Sequence, residues 1–125
     1  MKTNTALITV VDDDESIRES LPDLIRAFGF SATSFSSAEE FLKSESLSLT
    51  RCLILDVSMP GMSGPDLQKE LKLSRRKIPI IFITAHVEET DCRRLIEQGA
   101  IDCLFKPFSE DDLLKAVNTA LRESR

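Results

Sequence analysis

Short apolar runs alternate along the chain with stretches whose apolar residues recur at helical spacing. Most runs are rich in Val, Ile or Leu, as is typical of strands in a parallel sheet. The pattern predicts five strands, over residues 6–11, 30–35, 51–56, 78–84 and 100–105. The second run is more polar than the others and is therefore expected near an edge of the sheet.

A helix is predicted after each strand. The first is indicated by apolar residues three or four positions apart and by a glycine that ends it, namely Ile17, Leu21, Leu24, Ile25, Phe28 and Gly29. Pro22 lies inside this helix and lacks a backbone N–H, so a local distortion is expected there. Capping-box patterns at 37–40 and 109–112 open the second and fifth helices. The third helix contains Leu67, and the fourth spans 88–98.

This alternation of strand and helix, five times over, predicts an α/β fold with a parallel sheet and helices on both of its faces. Crossovers between parallel strands are right-handed, so the carboxyl ends of the strands share one edge. Open α/β sheets bind their ligands at that edge. Three aspartates follow strand 1, Asp56 ends strand 3, Thr84 ends strand 4 and Lys106 follows strand 5. We expect these side chains to converge.

The composition fits one globular domain, with 125 residues of which 42% are hydrophobic and 30% charged. No apolar run approaches the roughly 20 residues of a membrane span, and the first residues lack the apolar core of a signal peptide. The net charge of −5 disfavours direct binding to nucleic acid. Three cysteines without CxxC spacing indicate reduced thiols in a cytoplasmic protein rather than a disulfide framework or a zinc site.

Asp56 is predicted to be a nucleophile, since a carboxylate at the tip of a buried strand can be ionised and exposed. Asp12 and Asp13 add two negative charges at the same edge, which would raise pKa values unless a cation intervenes. Clustered oxygen acids suit Mg²⁺. The alternative, a solvated acidic turn, is disfavoured by the presence of Asp56 and Lys106. Asp14 is interpreted as a residue that starts the first helix.

Five motifs at the predicted strand ends resemble the signature of two-component response-regulator receiver domains. They are Val11-Asp12-Asp13, Leu55-Asp56, Met59-Pro60-Gly61-Met62-Ser63-Gly64, Ile83-Thr84-Ala85 and Lys106-Pro107-Phe108. The resemblance extends over about residues 7–121 of a single domain, 1–125. The last two motifs are most similar to receivers of the nitrogen-fixation regulator type, which usually precede a DNA-binding domain of the LuxR kind.

The resemblance implies a flavodoxin-like, doubly wound (βα)5 fold with strand order 2-1-3-4-5. It also implies that Asp56 accepts a phosphoryl group from a sensor histidine kinase, and that the domain catalyses only its own phosphorylation and dephosphorylation. Mg²⁺ or Mn²⁺ would bind to the carboxylates of Asp13 and Asp56 and to the backbone carbonyl of Ser58. Asp12 would act on the metal directly or through water.

Thr84 and Lys106 are implied to contact the phosphoryl oxygens, through a hydroxyl and an ammonium group. From the residues alone, Thr84 could be an ordinary strand-end threonine and Lys106 a surface lysine. Pro107 favours the functional interpretation of Lys106, because X–Pro bonds are the ones that adopt cis geometry. The family has a cis bond at this point, which would aim the lysine into the site.

The family also implies partners. These are a sensor histidine kinase and, after phosphorylation, a second copy bound through the face formed by helix 4, strand 5 and helix 5. DNA would be contacted only by a separate effector domain, and no membrane contact is expected. Two alternatives stay open: a stand-alone receiver, and a docking module that works without phosphorylation.

Two other functions are disfavoured. Phosphatases of the haloacid-dehalogenase type carry a second aspartate two residues after the nucleophile, where this chain has Ser58. A flavin-binding electron carrier would need a hydroxyl-rich phosphate loop after strand 1. Three aspartates occupy that place and would repel a phosphate.

Cys103 departs from the family pattern, since receivers commonly carry Tyr or Phe three residues before the strand-5 lysine. We interpret it as a small buried hydrophobic residue, with an oxidant-sensing thiol as the alternative. His86, the only histidine, is expected to be a loop residue that tunes the phosphoryl lifetime or is simply solvated. Arg93 and Arg94 are expected on the exposed surface of helix 4.

Overall fold

Five parallel strands form one sheet in the computed structural model of the chain, which describes residues 6–85 and 89–123. In chain order they are β1 (Leu7–Val11), β2 (Ser31–Phe35), β3 (Thr50–Asp56), β4 (Ile80–Thr84) and β5 (Asp102–Phe105). The order across the sheet is β2-β1-β3-β4-β5, which confirms the predicted topology and the edge position of the polar second strand. β4 begins two residues later than predicted, after Pro79, which has no backbone N–H to pair.

Five helices connect and cover the strands: α1 (Glu15–Ala27), α2 (Ala38–Leu42), α3 (Gly64–Leu73), α4 (Glu89–Glu97) and α5 (Glu110–Glu123). A 3₁₀ turn, Glu45–Ser48, precedes β3. α1 runs through Pro22 as one helix. Gly29 and Gly99 follow α1 and α4 with φ of 102° and 115°, a conformation that glycine adopts without steric cost. None of the described helices is long and apolar enough to cross a membrane.

Side-chain caps start the helices, though not always as the sequence pattern indicated. Asp14 accepts a hydrogen bond from the N–H of Ser16 at 2.9 Å, which confirms its role at the start of α1. The box at 37–40 is only half formed, because the Glu40 carboxylate accepts both the N–H and the hydroxyl of Ser36 instead of closing on Ser37. A complete capping box opens α3, between Ser63 and Asp66, although no capping pattern was predicted for this helix.

The core lies on both faces of the sheet. On one face the strands pack against α1 and α5, where Ile25 and Val117 are fully buried. On the other they pack against α2, α3 and α4, around Phe41, Leu67 and Leu95. Burying a side chain of this size stabilises the fold by about 1.5–3 kcal/mol. Because helices cover both faces, a ligand can reach the sheet only at its ends.

The cysteines differ from the expectation of three reduced thiols. Cys92 of α4 and Cys103 of β5 are joined by a disulfide, with 5.7 Å between their Cα atoms. Cys52, in β3, is free and fully buried. The pairing could not be inferred from spacing, because the two residues become neighbours only when α4 packs beside β5. Cys103 is partly buried and packs against the core, in the manner of the small hydrophobic residue expected, but its sulfur is bonded to Cys92 and is not a free thiol.

Candidate functional site

Four strands end within a short distance of one another, and they carry the residues that the sequence singled out. The register of β1 and β3 puts Asp12 and Asp56 at adjacent strand ends. β4 ends at Thr84, whose carbonyl accepts the backbone N–H of Lys106 at 2.8 Å. The predicted convergence therefore occurs, with an acid from each of the two central strands and a lysine arriving from β5.

Asp12 is the most firmly held of these residues. It is fully buried, and its Oδ1 accepts the N–H of Asp14 at 2.9 Å. Its Oδ2 accepts from Lys106 Nζ at 2.9 Å, while its carbonyl accepts from the guanidinium of Arg18 at 3.1 Å. A buried carboxylate is tolerated when it is paired and hydrogen-bonded in this way. The position of Asp12 is thus fixed by contacts on both sides.

Lys106 joins the two buried acids. Its Nζ lies 2.9 Å from Asp12 Oδ2 and 3.7 Å from Asp56 Oδ1. Burial acts to lower the pKa of Lys106, but the hydrogen bond to Asp12 and the charges of the two acids outweigh it, so the pKa is raised and the ammonium stays charged. The bond between Lys106 and Pro107 is cis, as the resemblance implied.

Asp56 is much less exposed than a strand-tip nucleophile was expected to be, with 6% of its surface accessible. Burial raises the pKa of Asp56 to about 7, and the charge of Asp12 and the charge and hydrogen bond of Asp13 act in the same direction, against the lowering effect of Lys106. The single ammonium therefore does not compensate for burial and for the charges of the two neighbouring acids. Additional positive charge at this point would lower the pKa of Asp56.

The acids can supply a cation site. Asp12, Asp13 and Asp56 each offer a carboxylate oxygen, and these atoms lie within 4.8 Å of one another. Asp13 is exposed and so opens the cluster to solvent. Oxygen donors suit a hard divalent ion such as Mg²⁺ or Mn²⁺ better than Zn²⁺. The donor set and the excess of negative charge therefore fit the metal that the resemblance implies.

The loop between β3 and α3 passes close to Asp56. Gly61 has φ of 74°, in the left-handed region. A Cβ on Gly64 would collide with the backbone carbonyl of Asp56 and press on the ring of Phe82. Gly64 also donates its N–H to the carbonyl of Val57 at 3.1 Å. The close approach of the backbone at Gly64 brings the start of α3 next to Asp56.

Glu39 is a residue of this edge that the sequence analysis missed. Its Oε2 accepts the N–H of Met62 at 3.0 Å, across 23 residues of sequence. Glu39 thereby ties α2 to the loop that follows Asp56. Glu39 lies within a predicted capping-box pattern, which accounts for an acidic residue at this position. The sequence therefore gave no signal that Glu39 contacts the loop after Asp56.

The remaining predicted residues are placed as follows. Thr84 is buried at the end of β4, with 5% of its surface accessible. Ser58 is exposed at the start of the loop, and the part of its carbonyl in metal binding stays a prediction. Arg93 and Arg94 are exposed on α4, as expected. His86 lies outside the described residues.

Comparison with known proteins bears on these assignments. The sequence profile of the family described as response regulator receiver domain matches residues 8–118. The chain is 43% identical to the response regulator protein TodT of Pseudomonas putida, over 98% of this chain and 54% of that protein. It is 34% identical to the transcriptional regulatory protein FixJ of Bradyrhizobium diazoefficiens, over 98% of this chain and 60% of that protein.

Solved structures agree with the sequence relatives. The structure of the response regulator StyR superposes with a TM-score of 0.89 at 42% identity, covering 97% of this chain and 61% of that one. The motifs predicted a similarity to receivers of the nitrogen-fixation regulator type, and the match with FixJ confirms it. The sequence identity with TodT is higher than that with FixJ. The chain spans about half the length of the curated relative TodT.

Proposed function

The chain belongs to the response regulator receiver domain family, and from this we propose that Asp56 accepts a phosphoryl group from a phosphohistidine of a sensor kinase. The position of Lys106 is the observation that carries the proposal. Its ammonium lies 2.9 Å from Asp12 and 3.7 Å from Asp56, so it is within reach of any group attached to the Asp56 carboxylate. A fixed cation at that point stabilises the charge on transferring phosphoryl oxygens.

The chemistry asks little of the protein beyond position and charge. A carboxylate oxygen of Asp56 attacks phosphorus, the N–P bond of the donor breaks, and the histidine nitrogen leaves with the bonding electrons. Lys106 and the hydroxyl of Thr84 are proposed to donate hydrogen bonds to the phosphoryl oxygens. Water later attacks phosphorus, which releases phosphate and restores the carboxylate. The domain thus processes only its own acyl phosphate.

We propose a divalent cation, Mg²⁺ or Mn²⁺, as the cofactor, held by Asp12, Asp13 and Asp56 with the carbonyl of Ser58. When bound, it would add positive charge beside the transferring oxygens. The acid cluster supports this, since its oxygens lie within 4.8 Å of one another. The raised pKa of Asp56, about 7, supports it further, because ionising this nucleophile at neutral pH calls for more positive charge than Lys106 provides.

We also propose the wider setting of the domain. Residues 1–125 act as one receiver domain in the cytoplasm, and a longer regulator would contact DNA through a separate effector domain. The share of TodT that the chain covers, 54%, and the name of its relative FixJ, a transcriptional regulatory protein, support this. Phosphorylation would switch the face formed by α4, β5 and α5, where the exposed Ile96 offers an apolar contact to a second copy.

Acetyl phosphate with Mg²⁺, followed by intact mass measurement, tests the phosphoacceptor. The parent chain is expected to gain a single phosphoryl adduct, and Asp56→Asn is expected to gain none because the amide is not a nucleophile. Asp23→Asn is the matched control, since Asp23 lies on the exposed surface of α1 with 80% of its side chain accessible. It should be phosphorylated like the parent.

Two outcomes would contradict the assignment. One is an Asp56→Asn protein that still gains the adduct, which would place the acceptor elsewhere. The other is a parent chain that gains none with either Mg²⁺ or Mn²⁺ while circular dichroism shows it folded. Omitting the metal and adding EDTA is expected to slow adduct formation by at least tenfold.

A further inference from the structure

Cys92 and Cys103 connect two elements of the face that we expect to carry the signal. We propose that this pair is a reversible redox site: a peroxide oxidises the two thiols to the disulfide, a dithiol reductant restores them, and the cross-link between α4 and β5 slows phosphoryl acceptance at Asp56. The coupling to Asp56 rests on the proposed function. The redox site itself does not.

The placement of the two cysteines favours exchange with solvent over a purely structural link. Their Cα atoms lie 5.7 Å apart, within the usual range for a disulfide. Both residues are half-buried, so a small oxidant or reductant can reach them. Cys52 provides the contrast. It is fully buried, and burial raises the pKa of its thiol to about 12, which keeps it protonated and unreactive.

The cross-link matters because the described part of α4 buries few side chains. Over residues 92–97, only Leu95 is buried, and Ile96 is 43% exposed. A segment with few buried apolar contacts can shift at low cost. Over this part of α4, the disulfide therefore adds a covalent tie to the packing of Leu95.

The far end of the link is close to the site. Cys103 lies opposite Phe82 in the sheet register, and Lys106 follows three residues later, directly after the end of β5. The backbone N–H of Lys106 donates to the carbonyl of Thr84, which ties the residue after β5 to the end of β4. A tie from α4 to Cys103 thus restrains the strand that delivers the lysine to Asp12 and Asp56.

The chemistry balances with a peroxide as oxidant. One cysteine thiolate attacks a peroxide oxygen, the O–O bond breaks, and a sulfenic acid and one water form. The second thiol attacks the sulfenic sulfur, which forms the S–S bond and releases a second water. Two thiols lose two electrons and two protons in total, and the peroxide is reduced to water. A dithiol reductant reverses this through a mixed disulfide, its own two thiols becoming a disulfide.

Alkylation and peptide mapping test the redox site. The chain is reduced, treated with hydrogen peroxide or left untreated, blocked with iodoacetamide and digested with trypsin. Because trypsin cleaves at Arg93 and Arg94, the two cysteines fall on separate peptides, and a linked pair appears only if the disulfide is present. We expect the Cys92–Cys103 pair after peroxide and its loss after dithiothreitol. Linkage to Cys52, or a pair that dithiothreitol leaves intact in the folded chain, would overturn the redox site.

The rate of adduct formation from acetyl phosphate tests the coupling. We expect the oxidised chain to react about fivefold more slowly than the reduced chain, at the lower end of typical coupling between two sites. Cys92→Ser should react at the reduced rate with or without peroxide. Cys52→Ala, which keeps the pair, should still respond to peroxide.

The outcomes separate the two proposals. Equal rates in both redox states would overturn the coupling and leave Asp56 as acceptor. No adduct in either state would remove the proposed function and the coupling together, while the peptide map would still decide the redox site. The oxidised and reduced parent chains carry this comparison even if Cys92→Ser fails to fold.

Discussion

Charged residues are buried at one end of the sheet and exposed at the other. At the carboxyl end, Asp12 and Asp56 are 0% and 6% exposed and Lys106 lies between them. At the amino end, a cavity of about 480 Å³ is bordered by four cations, all of them exposed: Lys72, Arg75, Arg76 and Lys77. A desolvated charge depends strongly on its neighbours, whereas a hydrated one is screened. Burial, and not the number of charges, distinguishes the functional end.

The sharpest test of this contrast exchanges a lysine for methionine at each end. Lys106→Met leaves two buried acids without their cation, so the free energy of unfolding at pH 8 is expected to fall by about 2–4 kcal/mol. Lys77→Met, at the amino end, is expected to change it by less than about 0.5 kcal/mol. Urea denaturation of both variants measures the difference. If both variants lost the same free energy of unfolding, burial would not explain the difference between the two ends of the sheet.

The pH dependence of stability isolates Asp56. Its pKa rises from 3.8 to about 7 on folding, so the folded chain binds the extra proton in that interval. Without metal, stability is therefore expected to fall as pH rises from about 4 to 7 and then to level off. Asp56→Asn lacks the titrating carboxyl group, so its stability should not show this fall with pH. In EDTA at pH 8 it should be more stable than the parent by about 1–3 kcal/mol, a range reduced for partial solvent screening.

Adding Mg²⁺ provides a control for the predicted effect of Asp56 on stability. Mg²⁺ should raise the melting temperature of the parent at pH 8, because a bound cation favours the ionised Asp56. It should raise that of Asp56→Asn much less, since one carboxylate ligand is lost. Calorimetry with and without Mg²⁺ measures both. Parallel pH profiles for the parent and the variant in EDTA would show that Asp56 is not the titrating group.

Glu39 tests whether the location of a charge or its burial determines its effect on stability. It lies at the carboxyl end of the sheet, like Asp56, but it is exposed. Glu39→Ala removes the acceptor of the Met62 N–H, and a loss of about 0.5–1 kcal/mol is expected. Glu19→Ala, on the exposed surface of α1, should change stability less. Urea titrations of the two variants give the comparison. A loss as large as that of Lys106→Met would mean that location alone makes a charge important.

The sheet was predictable from the sequence because apolar runs and helical spacing are local properties. The alternation from Leu7 to Glu123 therefore gave the element order, and the motifs around Asp56 and Lys106 gave the strand order and the site. The Cys92–Cys103 pair was not predictable, since neither its spacing nor the composition shows where α4 docks. Glu39 was missed for a similar reason: its partner, Met62, becomes a neighbour only in the folded chain.

Burial was also hard to judge from sequence. Asp56 was expected to be exposed at the tip of its strand. The glycine at position 64 lets α3 start against the backbone of Asp56, and in the folded chain only 6% of the surface of Asp56 is accessible. The sequence pattern placed Asp56 at the end of a strand, but it did not show how much solvent the surrounding chain removes from that position.

The bond between Lys106 and Asp12 joins residues 94 positions apart in the chain. A contact of such long range costs chain entropy, because it closes the long loop between its two residues. During synthesis, β1 and β3 emerge well before Lys106, so Asp56 exists for a time without its cation. A chain that stops short of β5, or is cut before it, would therefore lack a working acceptor. Under the proposed function, the phosphoryl group would mark only molecules whose folding has reached the last strand.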